Sequence, residues 1–193
     1  LKDEDAASTY MRITKTSQEQ FNEEIYDAAS RFVTWDLPRI KSVCSSYANQ
    51  HQCKLVKVDA GWYQIAKEKC PQSYGYNAVR LKVPRSGTEV KLTFEGIAGD
   101  KDFYTEAKEN AGWRYGFVAV KQDGKRVYGK MNKAVNGVNQ SVKFVVPDST
   151  QFLWLVVTGA PDKHMAYHKK MEKVAEWPYK IKLEGTFLHA TTM

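Results

Sequence analysis

Apolar residues along this chain keep two different periods. Phe21, Ile25, Ala28, Ala29, Phe32 and Val33 stand at successive offsets of 4, 7, 8, 11 and 12, which is one face of an α-helix. Ser17 with Gln20 three positions on forms the capping-box pattern that starts such a helix. Asp36, Leu37 and Pro38 then predict a stop and a restart, with Ile40, Val43, Cys44 and Tyr47 as the buried stripe of a second helix. At about Cys53 the period changes to alternation. Short strands are predicted over residues 54–58, 62–66, 77–83, 89–96, 114–121, 125–130, 141–146, 152–158 and 179–183. Asp59-Ala60-Gly61 and Gln122-Asp123-Gly124 sit between strands as hairpin turns, the second carrying the Asp-Gly pair that favours a tight reversal. Residues 152–157 are continuously apolar, which predicts a central strand covered on both faces.

Many short strands, Gly- and Pro-containing turns and no helix between them predict an antiparallel β-sandwich of jelly-roll type, preceded by two α-helices. Residues 1–16 are mostly polar and read as a tail, a linker or one short strand. The expected division is a helical segment over 17–52, a sandwich over 53–186 and a tail over 187–193. The helical stripe must be covered, either by the sandwich or by an upstream domain of the same polypeptide.

Composition agrees with a folded domain. The 193 residues include 5 Trp, 11 Tyr and 8 Phe, too many aromatics for a disordered segment. No run of about 18 apolar residues offers a membrane-spanning helix, so membrane insertion is not expected. The formal charge of +7 is dispersed, with Lys180 and Lys182 alternating with apolar neighbours as solvent-facing strand positions do. Nucleic-acid binding would need those cations gathered in a stripe, and it is disfavoured. The chain opens on Leu1 without an apolar leader, as a processed product or a piece of a longer polypeptide would, and the compartment does not follow from that.

Motifs exclude several chemistries. Neither a phosphate-cradling GxxxxGK[ST] nor GxGxxG occurs, and HExxH and GxSxG are missing. His164 and His168 have the four-residue spacing that can share a metal, with Glu172, Glu176 or His51 as a third ligand. Lys163, Lys169, Lys170 and Lys173 around them would repel a cation, so a solvated basic loop is expected and no metal or cofactor. Cys44 and Cys53 flank a predicted helix-to-strand reversal. A Cys44–Cys53 disulfide is expected in an exported protein, leaving Cys70 unpaired; buried thiols throughout are the alternative.

Aromatic residues beside Gly or Pro are the candidate binding groups: Trp62, Tyr76, Trp113, Tyr115, Trp177 and Tyr179, with Arg114 as a fixed cation. Any one of them taken singly reads as core, because Trp and Tyr are highly buried on average. Exposed at the sandwich rim, such rings would stack on sugars or on other flat groups.

Four phrases carry a resemblance. Residues 24–36 (Glu24-Ile25-Tyr26 through Trp35-Asp36), 70–77 (Cys70-Pro71-Gln72-Ser73-Tyr74-Gly75-Tyr76-Asn77), 112–117 and 153–161 resemble the C-terminal half of a family of large secreted bacterial surface proteins from gut-type anaerobes, a domain of unknown function. Trp177-Pro178-Tyr179 and the strand after it fit that family's closing strand, and the resemblance spans residues 18–186. It implies export to the medium or cell surface and a domain cut from a longer protein, and it transfers no catalytic residue. Relatives carry an acidic insert after the segment matching His164, whereas residues 169–176 here are short and basic.

The reading that joins these observations is a non-catalytic sandwich module that binds a glycan or a host or bacterial surface protein. The alternative is an accessory C-terminal part of a secreted hydrolase, peptidase-like in chemistry, whose catalytic residues lie upstream.

Overall fold

The structure is a computed structural model that describes residues 4–33, 50–51, 53–98, 111–161 and 176–189. The predicted second helix, with Asp36, Cys44 and Tyr47, lies outside the described residues, as do His164 and His168.

The N-terminal segment is a helix rather than a tail or strand. Asp5 caps α1 (Ala6–Thr14) by accepting from the Ser8 amide at 2.6 Å, and Lys15 closes it in the left-handed conformation. No residue of α1 is buried, and its large apolar residues are few: Tyr10, Met11 and Ile13. Ser17 and Gln20 form the expected reciprocal capping box on α2 (Gln18–Phe32).

The buried face of α2 differs from the expected one. Asn22, Tyr26, Ala29 and Ser30 are buried with Val33, while Phe21, Ile25 and Phe32 are half-buried and Ala28 is exposed. The docked face is displaced one residue along the helix, a rotation of about 100°. Two polar groups occupy it because each finds a partner. The Asn22 amide donates to the Pro161 carbonyl at 2.8 Å, and the Ser30 hydroxyl donates to the Asp27 carbonyl at 2.8 Å. Phe21 instead packs between Tyr10 of α1 and Tyr74, with ring centroids at 5.3 and 5.2 Å.

Eleven strands are described: β1 (Gln50–His51), β2 (Leu55–Lys57), β3 (Trp62–Ile65), β4 (Tyr76–Leu81), β5 (Glu89–Gly96), β6 (Gly112–Lys121), β7 (Arg126–Tyr128), β8 (Asn132–Ala134), β9 (Gln140–Val145), β10 (Thr150–Ala160) and β11 (Tyr179–Glu184). They form a β-sandwich. One sheet runs β1-β4-β10-β6-β7, with β8 also on β6, and the other runs β2-β3-β11-β5-β9. Every strand pairing is antiparallel except β1 with β4. Both predicted hairpins form. Sequence reading missed β1 and β8, which are two and three residues long and carry no alternation to detect.

Strand β10 is central, as its apolar run predicts. Leu153, Leu155 and Val157 enter the core between the sheets, while Trp154 and Val156 meet Tyr26, Ala29 and Val33 of α2 on the opposite side. Helix α2 thus covers the outer face of the six-stranded sheet. Gly116 of β6 makes that approach feasible, because a Cβ there would overlap the Tyr26 hydroxyl. Residues 187–189 are not a free tail. Leu188 is buried and bridges Leu81, and the His189 amide donates to the Arg80 carbonyl at 2.9 Å.

Candidate functional site

Alternation along β6 turns Trp113, Tyr115 and Phe117 into the space between the sheets. There the Trp113 ring meets Trp177 edge-on at 5.3 Å, and its indole N–H donates to the Trp177 carbonyl at 2.9 Å. The Trp177 indole N–H in turn reaches the Ser73 hydroxyl at 3.1 Å. Phe94 of β5 stacks on Tyr115 at 4.2 Å and on Tyr179 of β11 at 5.3 Å. This aromatic column ties one sheet to the other. Burial pushes the Tyr115 phenol up to about 12 and the Tyr179 phenol well above its ordinary value.

Six of the seven candidate binding residues are therefore interior. Trp113, Tyr115, Trp177 and Tyr179 are core, Tyr76 is buried beneath α2, and Arg114 is 1% exposed. Arg114 points to the α2 side of β6, where burial lowers its pKa and the charge of Glu23 only partly offsets this. The glycines flanking this segment serve packing, not ligand approach. Gly112, at φ 151°, lets the Ala134 carbonyl of β8 come close, as Gly116 does for Tyr26. The expectation of five exposed stacking rings and a fixed surface cation at these positions is corrected accordingly.

The expected Cys44–Cys53 disulfide rests on Cys44, which lies outside the described residues. Cys53 is a free, buried thiol, its sulfur 3.8 Å from the Tyr179 hydroxyl. Cys70 is likewise free and donates to the Lys67 carbonyl at 2.7 Å. Burial pushes both thiols up to about 12, so neither is a thiolate nucleophile near neutral pH. Among the described residues no three His, Cys, Asp or Glu side chains gather where they could hold a metal ion.

Trp62 is the exception among the candidates. Of the described tryptophans, Trp113, Trp154 and Trp177 are buried, whereas Trp62 is half-exposed. It stands on the outer face of the five-stranded sheet, the face α2 does not cover. Register sets its neighbours: Trp62 faces Lys182, Lys182 faces Thr93, and Thr93 faces Ser141. These four side chains make one transverse row from β3 across β11 and β5 to β9. At the interstrand spacing of about 4.8 Å the row is about 14 Å long.

A second row runs beside it. Gln64 faces Lys180, which faces Glu95. The Lys180 ammonium lies 4.7 Å from the Trp62 ring centroid and 3.0 Å from the Glu95 carboxylate, which fixes one side of the indole. Thr93 and Ser141 exchange a hydroxyl hydrogen bond at 3.0 Å.

Beyond Ser141 the face turns into a groove of about 590 Å3 between β8 and β9, lined by Lys130, Asn132, Lys133, Gln140 and Ser141 over Met131 and Val142. The Asn132 amide donates to the Lys130 and Tyr115 carbonyls at 2.9 and 3.3 Å, which holds the groove wall against β6. Sequence reading identified Trp62 but not this row. Lys180 and Lys182 read only as solvent-facing positions, and nothing local says which strands lie beside them.

The family model for DUF6055, described as a family of unknown function, matches residues 1–190. The chain belongs to that family. None of the curated proteins matches this DUF6055 chain. Solved structures resemble the chain at low similarity. The C-terminal family 22 carbohydrate-binding module of Clostridium thermocellum Xyn10B is 12% identical with a TM-score of 0.31, over 60% of this chain and 66% of that one. A xylan-binding domain of the same module family is 12% identical with a TM-score of 0.31, over 60% of this chain and 65% of that one. The Yersinia pseudotuberculosis-derived mitogen is 9% identical with a TM-score of 0.38, over 67% of this chain and 85% of that one. The chain spans just under two thirds of the length of the two carbohydrate-binding modules. No helix among the described residues is long and apolar enough to cross a membrane.

Proposed function

We propose that this DUF6055 chain is a non-catalytic, glycan-binding β-sandwich module of a larger protein exported to the medium or the cell surface. The outer face of its five-stranded sheet is the contact surface. The observation that carries this reading is the row Trp62–Lys182–Thr93–Ser141, laid across four strands by their register. A sugar chain presents alternating apolar ring faces and hydroxyl edges. Trp62 offers a flat apolar surface for the former, and Gln64, Thr93, Ser141 and Lys182 offer donors and acceptors for the latter. The surface is built on strands, so these groups hold their spacing without a ligand.

Screening the chain and its Trp62→Ala variant on a glycan array tests this. The wild type should retain a defined set of glycans, and the variant should lose severalfold in affinity, since a stacked ring contributes about 1 kcal/mol. Its melting temperature should stay within a few degrees of wild type, because the ring is not part of the core. A wild-type chain that retains no glycan, or a Trp62→Ala variant that binds unchanged, overturns the reading.

A further inference from the structure

We infer that the glycan is acidic, a polysaccharide whose sugars carry carboxylates, with Lys182 as the group that selects for the charge. The inference rests on the glycan reading and goes beyond it in naming the substrate class.

Three lysines on the outer face are paired. Lys91 is matched by Glu184 at 3.4 Å, Lys143 by Glu89 at 2.7 Å and Lys180 by Glu95 at 3.0 Å. Each of these ammonium groups already has its counter-charge. Lys182, between Trp62 and Thr93 in the row, has no ion pair among the described residues. Its diagonal neighbours on the two flanking strands are Gln64, Glu95 and Lys91, and both carboxylates near it, Glu95 and Glu184, are engaged by other lysines. The centre of the row is therefore a half-buried cation whose neighbouring carboxylates are bound to other lysines, one strand from an indole and one strand from a hydroxyl pair.

The far end repeats the arrangement. Lys133 is bound to Glu19 and Glu23 of α2, but Lys130, on the same groove, has no ion pair among the described residues. Lys182 on the row and Lys130 on the groove are thus two ammonium groups without an ion pair among the described residues, and Ser141 belongs to both the row and the groove. A uronate chain supplies the complementary sequence: a ring face for Trp62, a carboxylate for Lys182, hydroxyl edges for Thr93 and Ser141, and a further carboxylate for Lys130. A neutral chain would leave both cations unpaired and partly desolvated, which opposes binding. The formal charge of +7 adds attraction toward any polyanion, but only a local pairing makes Lys182 itself decisive.

Affinity electrophoresis and calorimetry with polygalacturonate, alginate and hyaluronate, against methyl-esterified polygalacturonate and neutral arabinoxylan, test the inference. At least one of the three carboxylated polymers should be bound, with affinity falling as salt rises, and its neutral counterparts should not. Lys182→Gln should lose about tenfold in affinity, the usual scale for a hydrogen bond to a charged group, and Lys182→Arg should retain most of it. Trp62→Ala should weaken the same polymer.

The outcomes separate the two readings. Binding of neutral polymers that is insensitive to salt and to Lys182→Gln but lost in Trp62→Ala keeps the glycan module and overturns its acidic specificity. Retention of all three acidic polymers that neither substitution changes is general cation exchange and overturns the inference. Failure to bind any carboxylated polymer overturns it as well.

Discussion

Gly96 and Trp113 define one contact from two sides. A Cβ on Gly96 would overlap the six-membered ring of the Trp113 indole, and that ring also meets Phe94 at 6.3 Å and Trp177 at 5.3 Å. Gly159 stands in the same relation to Trp177. The glycine is a socket for the ring. Gly96→Ala is therefore an overpacking change, expected to cost about 1–3 kcal/mol. Trp113→Ala leaves a cavity and removes the indole N–H that donates to the Trp177 carbonyl, expected to cost about 3–5 kcal/mol. The double variant should cost less than the sum, because the new methyl occupies space the indole has vacated. Urea titrations of the four proteins measure this coupling. Strict additivity would mean that the ring and the glycine do not share a site.

At the scale of elements, α2 shows how a pattern of apolar residues can point one position away from the face that docks. Phe21, Ile25 and Phe32 are the larger apolar side chains, yet Tyr26, Ala29 and Val33 meet Trp154, Val156 and Val118 on the sheet. Gly116 leaves room for the Tyr26 ring at this helix-to-sheet contact, and Asn22 secures the register by bonding Pro161. Tyr26→Ala should accordingly cost about 3 kcal/mol, and Ile25→Ala about 1 kcal/mol or less. Thermal melts of the two variants decide between the faces, and the reverse order would reinstate the Ile25 stripe as the docked one.

The same comparison shows what the chain makes legible. Strand positions could be read because alternation and turn residues are local signals: residues 89–96 were predicted as a strand, and β5 spans Glu89–Gly96. Helix α1 could not, since it is nine residues long, is mostly polar and buries nothing. The candidate site was legible only as Trp62. Trp113, Arg114 and Tyr115 have the composition of a binding loop, but the parity of β6 puts two of them between the sheets, and α2 covers the third. Lys182, Thr93 and Ser141 are separated by long stretches of chain and become neighbours only through strand register.

For the whole molecule, the interior that joins the sheets also sets how the fold responds to base. Cys53, Cys70 and Tyr115 have acid groups raised to about 12 by burial, and burial raises the Tyr179 and Tyr26 phenols as well. Their ordinary values are 9.0 for the thiols and 10.0 for the phenols. Below about pH 9 these groups are protonated in folded and unfolded chains alike, and their contribution to stability is fully present. As pH rises beyond that, the unfolded chain releases protons that the native chain retains. Stability then falls, by about 1.4 kcal/mol per pH unit for each such group, until the folded values near pH 12 are reached. Net charge works the other way over the first part of this range. The chain carries a formal +7 at pH 7, and raising the pH at first relieves its self-repulsion. A fall in melting temperature beginning near pH 9 therefore reports the buried acids. The fall should be shallower in a Cys53→Ala variant, which removes one titrating group from the interior. A melting temperature flat from neutral pH to about pH 11, or a slope the variant leaves unchanged, would show that these groups are not held from water as the burial of the sandwich core requires.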